Sequence, residues 1–98
     1  MNIEKDCKGN VTTLKVSGRL DTTTAPTLEA AASEAISACE QLALDFGGLE
    51  YISSAGLRVI LKAQKAMAAK GGMKILNVNE TIMEIFEITG FTDILTIE

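Results

Sequence analysis

The 98-residue chain has no histidine at all. Without one, a Ser-His-Asp triad cannot form, and the usual catalytic zinc sites, nearly all of which use histidine, are disfavoured. Cysteine is scarce. Cys7 and Cys39 are far apart and follow no metal-binding spacing, so two reduced thiols are the expected state. No apolar run reaches the roughly 18 residues of a membrane span. The opening MNIEKDCKGN is polar and lacks the apolar centre of a signal peptide, and a cytoplasmic protein is expected. Basic residues are outnumbered, 9 Lys and Arg against 13 Asp and Glu, for a net charge of -4. Nucleic-acid binding rewards a clustered basic surface and is not expected.

Nucleotide-binding loops are missing too. Neither a Walker-type phosphate loop nor a G-x-G-x-x-G fingerprint occurs, so no cofactor is expected. Asp45-Phe46-Gly47 spells a kinase motif, but the chain is too short for a kinase and lacks its other signatures. Ser54-Ala55-Gly56 is part of a hydrolase elbow without its preceding glycine or any base. A strand end and a helix start are the simpler readings of the two.

What is present is a regular α/β pattern. Hydrophobic residues make up 47%, enough for the core of one small domain spanning residues 1–98. Alternation over residues 3–8, a Gly9-Asn10 turn and alternation over Val11–Ser17 predict an antiparallel hairpin with a polar edge strand. Gly18–Thr24 reads as a loop. Thr24 suits an N-cap and Pro26 a first helical turn; Leu28, Ala31, Ala32, Ala35, Ile36 and Cys39 then recur at helical spacing. Leu42–Phe46 reads as a short strand closed by Gly47-Gly48. A second helix begins at Ser53 or Ser54, with Leu57, Ile60, Leu61, Met67 and Ala68 as its apolar stripe and Arg58, Lys62 and Lys65 opposite. The basic stripe is either a solvated face or a docking surface for an acidic partner. Gly71-Gly72 ends that helix. A strand at Met73–Val78 follows, then a helix capped by Asn79 or by a Thr81–Glu84 capping box. Ile82, Ile85, Phe86 and Thr89 form its buried side, Gly90 ends it, and Ile94–Ile97 is a terminal strand. After the hairpin, strands and helices alternate, which predicts a mostly parallel sheet.

The stretch YISSAGLR, residues 51–58, places two serines at a helix start. One serine satisfies the need for an N-cap. The second falls in the first turn, beside the small Ala55 and Gly56, with an open hydroxyl. A helix N-terminus favours an anion, and a phosphoserine there adds about -1.5 to -2 of charge without breaking the fold. On the residues alone, a phosphoswitch and a mere cap stand side by side.

The chain resembles STAS domains, and among them the single-domain bacterial anti-sigma factor antagonists. Ser17-Gly18-Arg19-Leu20-Asp21 is similar to that family's G-x-L-D strand end. Asp45 to Leu57 is similar to its signature, a strand leading into Ile52-Ser53-Ser54-Ala55-Gly56-Leu57. Gly71-Gly72 and Ile88-Thr89-Gly90-Phe91 also match, so the resemblance covers essentially the whole chain. It implies a STAS fold: a mostly parallel four- to five-stranded sheet with an antiparallel N-terminal edge strand and about three to four helices. It implies a regulator rather than an enzyme. Such antagonists, when dephosphorylated, bind an anti-sigma factor that is itself a serine kinase, and so free the sigma factor. Phosphorylation ends the interaction and a PP2C-class serine phosphatase resets it. The resemblance puts the phosphoacceptor at Ser54, with Ser53 as second choice. Ser53 stands where many members carry aspartate. It puts Asp21 in partner docking, where a turn or capping role is the plainer alternative, and Thr22, Thr23 and Thr24 in the same loop and at the same face. Ala55 and Gly56 are expected at the partner surface, Gly56 allowing close approach, and Leu57 is expected to anchor the helix. Arg58, one turn after Ser54, is expected to offset a phosphate there. The alternative reading keeps the domain and changes the partner, to another signalling kinase or phosphatase or to a transport complex.

Overall fold

The computed structural model describes every residue from Met1 to Glu98. β1 (Asn2–Lys8) and β2 (Val11–Leu20) pair antiparallel, with Lys8 opposite Val11. Their two-residue connection holds Gly9 at φ +61, a conformation that glycine adopts without strain. β1 is an outer strand and only its Ile3 is withdrawn from solvent. Its charged side chains discourage pairing of that edge with another chain.

Next come α1 (Ala25–Ala38), β3 (Gln41–Ile52), α2 (Ser54–Ala68), β4 (Met73–Leu76), α3 (Glu80–Thr89), a 3-10 turn at Phe91–Asp93 and β5 (Thr96–Ile97). The sheet runs β1-β2-β3-β4-β5, and every pairing after the hairpin is parallel. Alternation directs Leu14, Val16, Leu42, Leu44, Phe46, Met73 and Ile75 to one face. There they are buried with Leu28, Ala35, Ile60, Met67, Ile82 and Phe86 of the helices in a single core. Each of the larger side chains contributes about 1.5–3 kcal/mol by leaving water. The opposite face, with Val11, Thr13, Lys15, Asp45 and Lys74, stays half or fully exposed.

β3 departs most from expectation. It does not close at Gly47-Gly48 but continues to Ile52, and β2 continues through Gly18 to Leu20 beside it. The pairing shifts register twice, between Lys15 and Ser17 and between Gly18 and Arg19. Each shift is a bulge with one extra residue on β3. The bulges replace strict alternation, so that Phe46, Leu49 and Ile52, three apart, all point into the core. Gly48 fits there because a Cβ would come within 2.8 Å of the Ser17 Cβ.

The helices also shift. Thr24 precedes α1, but its side chain does not cap it. The buried stripe of α2 is Gly56, Val59, Ile60, Ala63 and Met67; Leu57 and Leu61 are half-buried and Ala68 is exposed. Leu57 packs against the core from the edge of that face, half-buried beside the inward-facing Gly56 and Ile60. The Thr81–Glu84 box does not form, since Thr81 already lies within α3. Asn79 is the cap, its Oδ1 accepting the Ile82 N–H at 2.9 Å. Thr89 is exposed and its hydroxyl bonds back to the Ile85 carbonyl at 2.7 Å. Gly90, at φ +80, ends α3 as expected.

Candidate functional site

β2 and β3 finish side by side, with Leu20 opposite Ile52. The next residue of each chain segment is Asp21 on one side and Ser53 on the other. The Ser53 N–H donates to the Leu20 carbonyl at 2.8 Å, so the start of α2 is fastened to the end of β2. Ser53 is extended at φ -91 and ψ 173, and its Oγ accepts the Gly56 N–H at 3.4 Å. It is the cap. Ser54 is the first residue of α2, exposed, and its hydroxyl has no hydrogen-bond partner within the chain. No acidic residue stands in the first turn of α2. The partial positive charge of the helix N-terminus is therefore not offset by the helix itself.

Gly56 serves a different purpose from the one expected. It is buried, and a Cβ there would lie 2.6 Å from Leu20 Cγ and 3.2 Å from Ile52 Cγ2. Its lack of a side chain lets α2 sit down on the strand ends. Ala55 and Leu57 are half-buried. Arg58 is exposed and in no ion pair, whereas Lys62 of the same basic stripe is paired with Glu29 at 2.6 Å.

The loop from Asp21 to Thr24 is tied together from within. Asp21 Oδ1 accepts the N–H groups of Thr23 and Thr24 at 3.0 and 3.1 Å. The Thr24 hydroxyl accepts the Asp21 N–H at 2.8 Å and donates to the Arg19 carbonyl at 2.8 Å. Thr24 thus closes the loop instead of capping α1, and Asp21 takes the turn-forming part. The Thr24 N–H holds the Asp21 carboxyl below its ordinary value; the Thr24 hydroxyl, the Thr23 N–H and Arg19 add to this, and partial burial opposes it. Thr22 and Thr23 are exposed. Asp21 Oδ2 faces Arg19, whose Nε is 4.0 Å away.

Arg19 and Tyr51 escaped the sequence reading as functional candidates. They are opposite one another across β2 and β3, and the Arg19 Cζ lies 4.4 Å from the Tyr51 ring centroid. The two bulges together make them partners, and nothing in local periodicity marks either. No group of three or more Cys, Asp or Glu side chains is gathered as a metal site, and no helix is long and apolar enough to cross a membrane.

These features define a small α/β domain: a helix-covered, mostly parallel sheet that presents an open serine at a helix N-terminus beside a loop closed by Asp21. The model of the STAS domain family matches residues 2–98, and the chain belongs to that family. Among its relatives, the anti-sigma F factor antagonist of Paenibacillus polymyxa is 31% identical over 100 residues, covering 99% of this chain and 86% of that protein. The anti-sigma-B factor antagonist of Bacillus subtilis is 31% identical over 100 residues, covering 99% and 92%. BtrV of Bordetella bronchiseptica matches over a shorter stretch, 40% identical over 58 residues, 58% of this chain and 50% of that protein. An anti-sigma factor antagonist of Mycobacterium paratuberculosis shares the fold, with a TM-score of 0.90, 21% identity and coverage of 98% and 83%. SpoIIAA, an anti-sigma factor antagonist, shares it in its unphosphorylated form, at a TM-score of 0.83, 20% identity and coverage of 99% and 88%. The phosphorylated SpoIIAA of Bacillus superposes with a TM-score of 0.77, again at 20% identity, over 99% and 91%.

Proposed function

We propose that this protein is an anti-sigma factor antagonist switched by phosphorylation at Ser54. In the dephosphorylated state it binds an anti-sigma factor that is a serine kinase, and the sigma factor is released. The kinase transfers the γ-phosphoryl group of ATP to Ser54 Oγ, with loss of the hydroxyl proton and departure of ADP, and the complex dissociates. A PP2C-class serine phosphatase restores the free hydroxyl. The protein is a cytoplasmic regulator with no catalytic step of its own.

The observation that carries the reading is the division of labour between the two serines. Ser53 Oγ is engaged as the cap and half-buried, whereas Ser54 Oγ is exposed and unpartnered. A kinase needs the second condition. The acid-free N-terminus of α2 accommodates a phosphate in the free protein, with Arg58 one turn away on the same helix. At the centre of a packed interface the same charge must be desolvated or face like charge, which costs about 2–5 kcal/mol. Asp21, Thr22 and Thr23 border the surface and form its other half, with Ala55 at its margin.

Recovering the protein from its host with its bound partners, and recording its intact mass, tests this. The expected result is a kinase-type partner, together with a one-phosphate mass increase that Ser54→Ala abolishes and Ser53→Ala does not. Ser54→Asp should lose the partner. A transporter or another signalling phosphatase in place of the kinase would move the domain to a different pathway. Full-strength binding by Ser54→Asp would end the switch mechanism.

A further inference from the structure

The side chains just below the Ser54 surface carry information about the partner. Arg19 and Tyr51 form the last cross-strand pair before Leu20 and Ile52, and they stand on the sheet face away from the core. The Arg19 side chain is 62% exposed. It nevertheless has a defined position, stacked on the Tyr51 ring. Its one carboxylate neighbour is Asp21 Oδ2, at 4.0 Å, the outer limit of an ion pair. The other oxygen of Asp21 is held by Thr23 and Thr24. The guanidinium has five N–H donors in a planar fork suited to a carboxylate, and within the chain it donates to no side-chain or carbonyl oxygen at hydrogen-bonding distance. Tyr51 is one of four large hydrophobic residues that the fold leaves exposed. An arginine stacked on an exposed aromatic ring, with most of its N–H donors facing solvent, has the composition of an interaction hot spot, where ordering costs are already met before binding.

We infer that Arg19, held in place by Tyr51, is a specificity-determining docking contact that receives an Asp or Glu side chain of the protein bound at the Ser54 surface. The inference rests on the reading of that surface as the docking face. The fit is to a partner whose contact region is acidic where it meets the ends of β2 and β3. Arg58, which is in no ion pair, adds charge of the same sign.

The test is calorimetric titration of the kinase partner with the full-length dephosphorylated protein and its variants, over a range of salt. Arg19→Glu is expected to weaken binding about 30-fold or more, and Arg19→Gln about 5- to 10-fold with a flatter salt dependence. Tyr51→Ala should give an intermediate loss, because the arginine stays but is no longer held. Replacing the facing carboxylate of the partner with lysine should restore binding to Arg19→Glu and weaken it to the wild type. Unchanged affinity and salt slope for Arg19→Glu, with a wild-type melting temperature, would overturn the inference. Ser54→Asp run alongside separates the two claims. If it binds fully while Arg19→Glu does not, the docking contact stands and the phosphoswitch falls; the reverse pattern keeps the switch and removes the contact.

Discussion

Asp21 illustrates how one carboxylate can organise a whole loop. Its carboxylate closes the loop by accepting the N–H groups of Thr23 and Thr24, and these bonds favour the charged form. A carboxyl depressed in the folded state contributes stability that is complete above its unfolded value, about 3.9 for aspartate. That contribution is lost as the pH falls through the lower folded value. Asp21→Asn should therefore be less stable than wild type at neutral pH. The gap should hold down to about pH 5 and shrink below about pH 4. Urea midpoints of the two proteins across that range check it; a gap that widened on acidification would contradict the assignment. Part of this was legible. The motif marks Asp21 for docking with a turn-forming role as the plainer alternative, and the turn-forming role is the one its hydrogen bonds display. Thr24 was misread. An N-cap signature shows only that a hydroxyl precedes a helix, whereas the Arg19 carbonyl that captures the hydroxyl is delivered by the strand.

At the level of elements, the long β3 depends on a crosslink that no strand pattern reveals. Beyond Asp45 it pairs only with β2, because β4 ends at Leu76. Asn79 supplies the missing support. Its Nδ2 donates to the Leu49 carbonyl at 2.7 Å while its Oδ1 caps α3. Asn79→Ala should cost about 2 kcal/mol, the loss of a cap plus a half-buried carbonyl left without its donor. On a domain of this size that lowers the melting temperature by roughly 8–16 °C. Asn79→Asp keeps the cap acceptor and loses the donor, and should fall between the two in a thermal melt. Equal stability of the aspartate and alanine variants would mean that the cap contributes nothing. The sequence identified Asn79 as one of two possible caps. It could not show the second bond, whose partner is 30 residues away. It also took Gly47-Gly48 for a strand terminus, since the three-residue spacing of Phe46, Leu49 and Ile52 matches neither strand nor helix period.

For the molecule as a whole, the proposed switch would act on a surface and leave the core alone. Ser54 is exposed, its hydroxyl makes no hydrogen bond within the chain, and the start of α2 lacks an acid. Ser54→Asp should therefore fold normally and be unchanged or stabilised by about 0.3–1 kcal/mol through the helix dipole. Its urea unfolding and near-ultraviolet dichroism are the measurements. A destabilised or loosened Ser54→Asp would mean that the negative charge acts by disturbing the fold. Charge is also distributed at this scale. Arg58, Lys62, Lys65, Lys70 and Lys74 follow Ser54 with no acid among them, and only acids follow from Glu80 onward. Folding then pairs Lys62 with Glu29 and Lys74 with Glu98, so the tertiary structure and not the order alone sets the surface field. Composition, periodicity and the run from Asp45 to Leu57 determined the class of fold, the succession of elements and the position of the open serine, because local propensities and caps are written in neighbouring residues. Tertiary structure alone decided that Gly56 faces Leu20, that Arg19 lies on Tyr51 and that Asn79 reaches Leu49. Each depends on a register set by two bulges, and register is fixed by how whole strands and helices bury their apolar faces together.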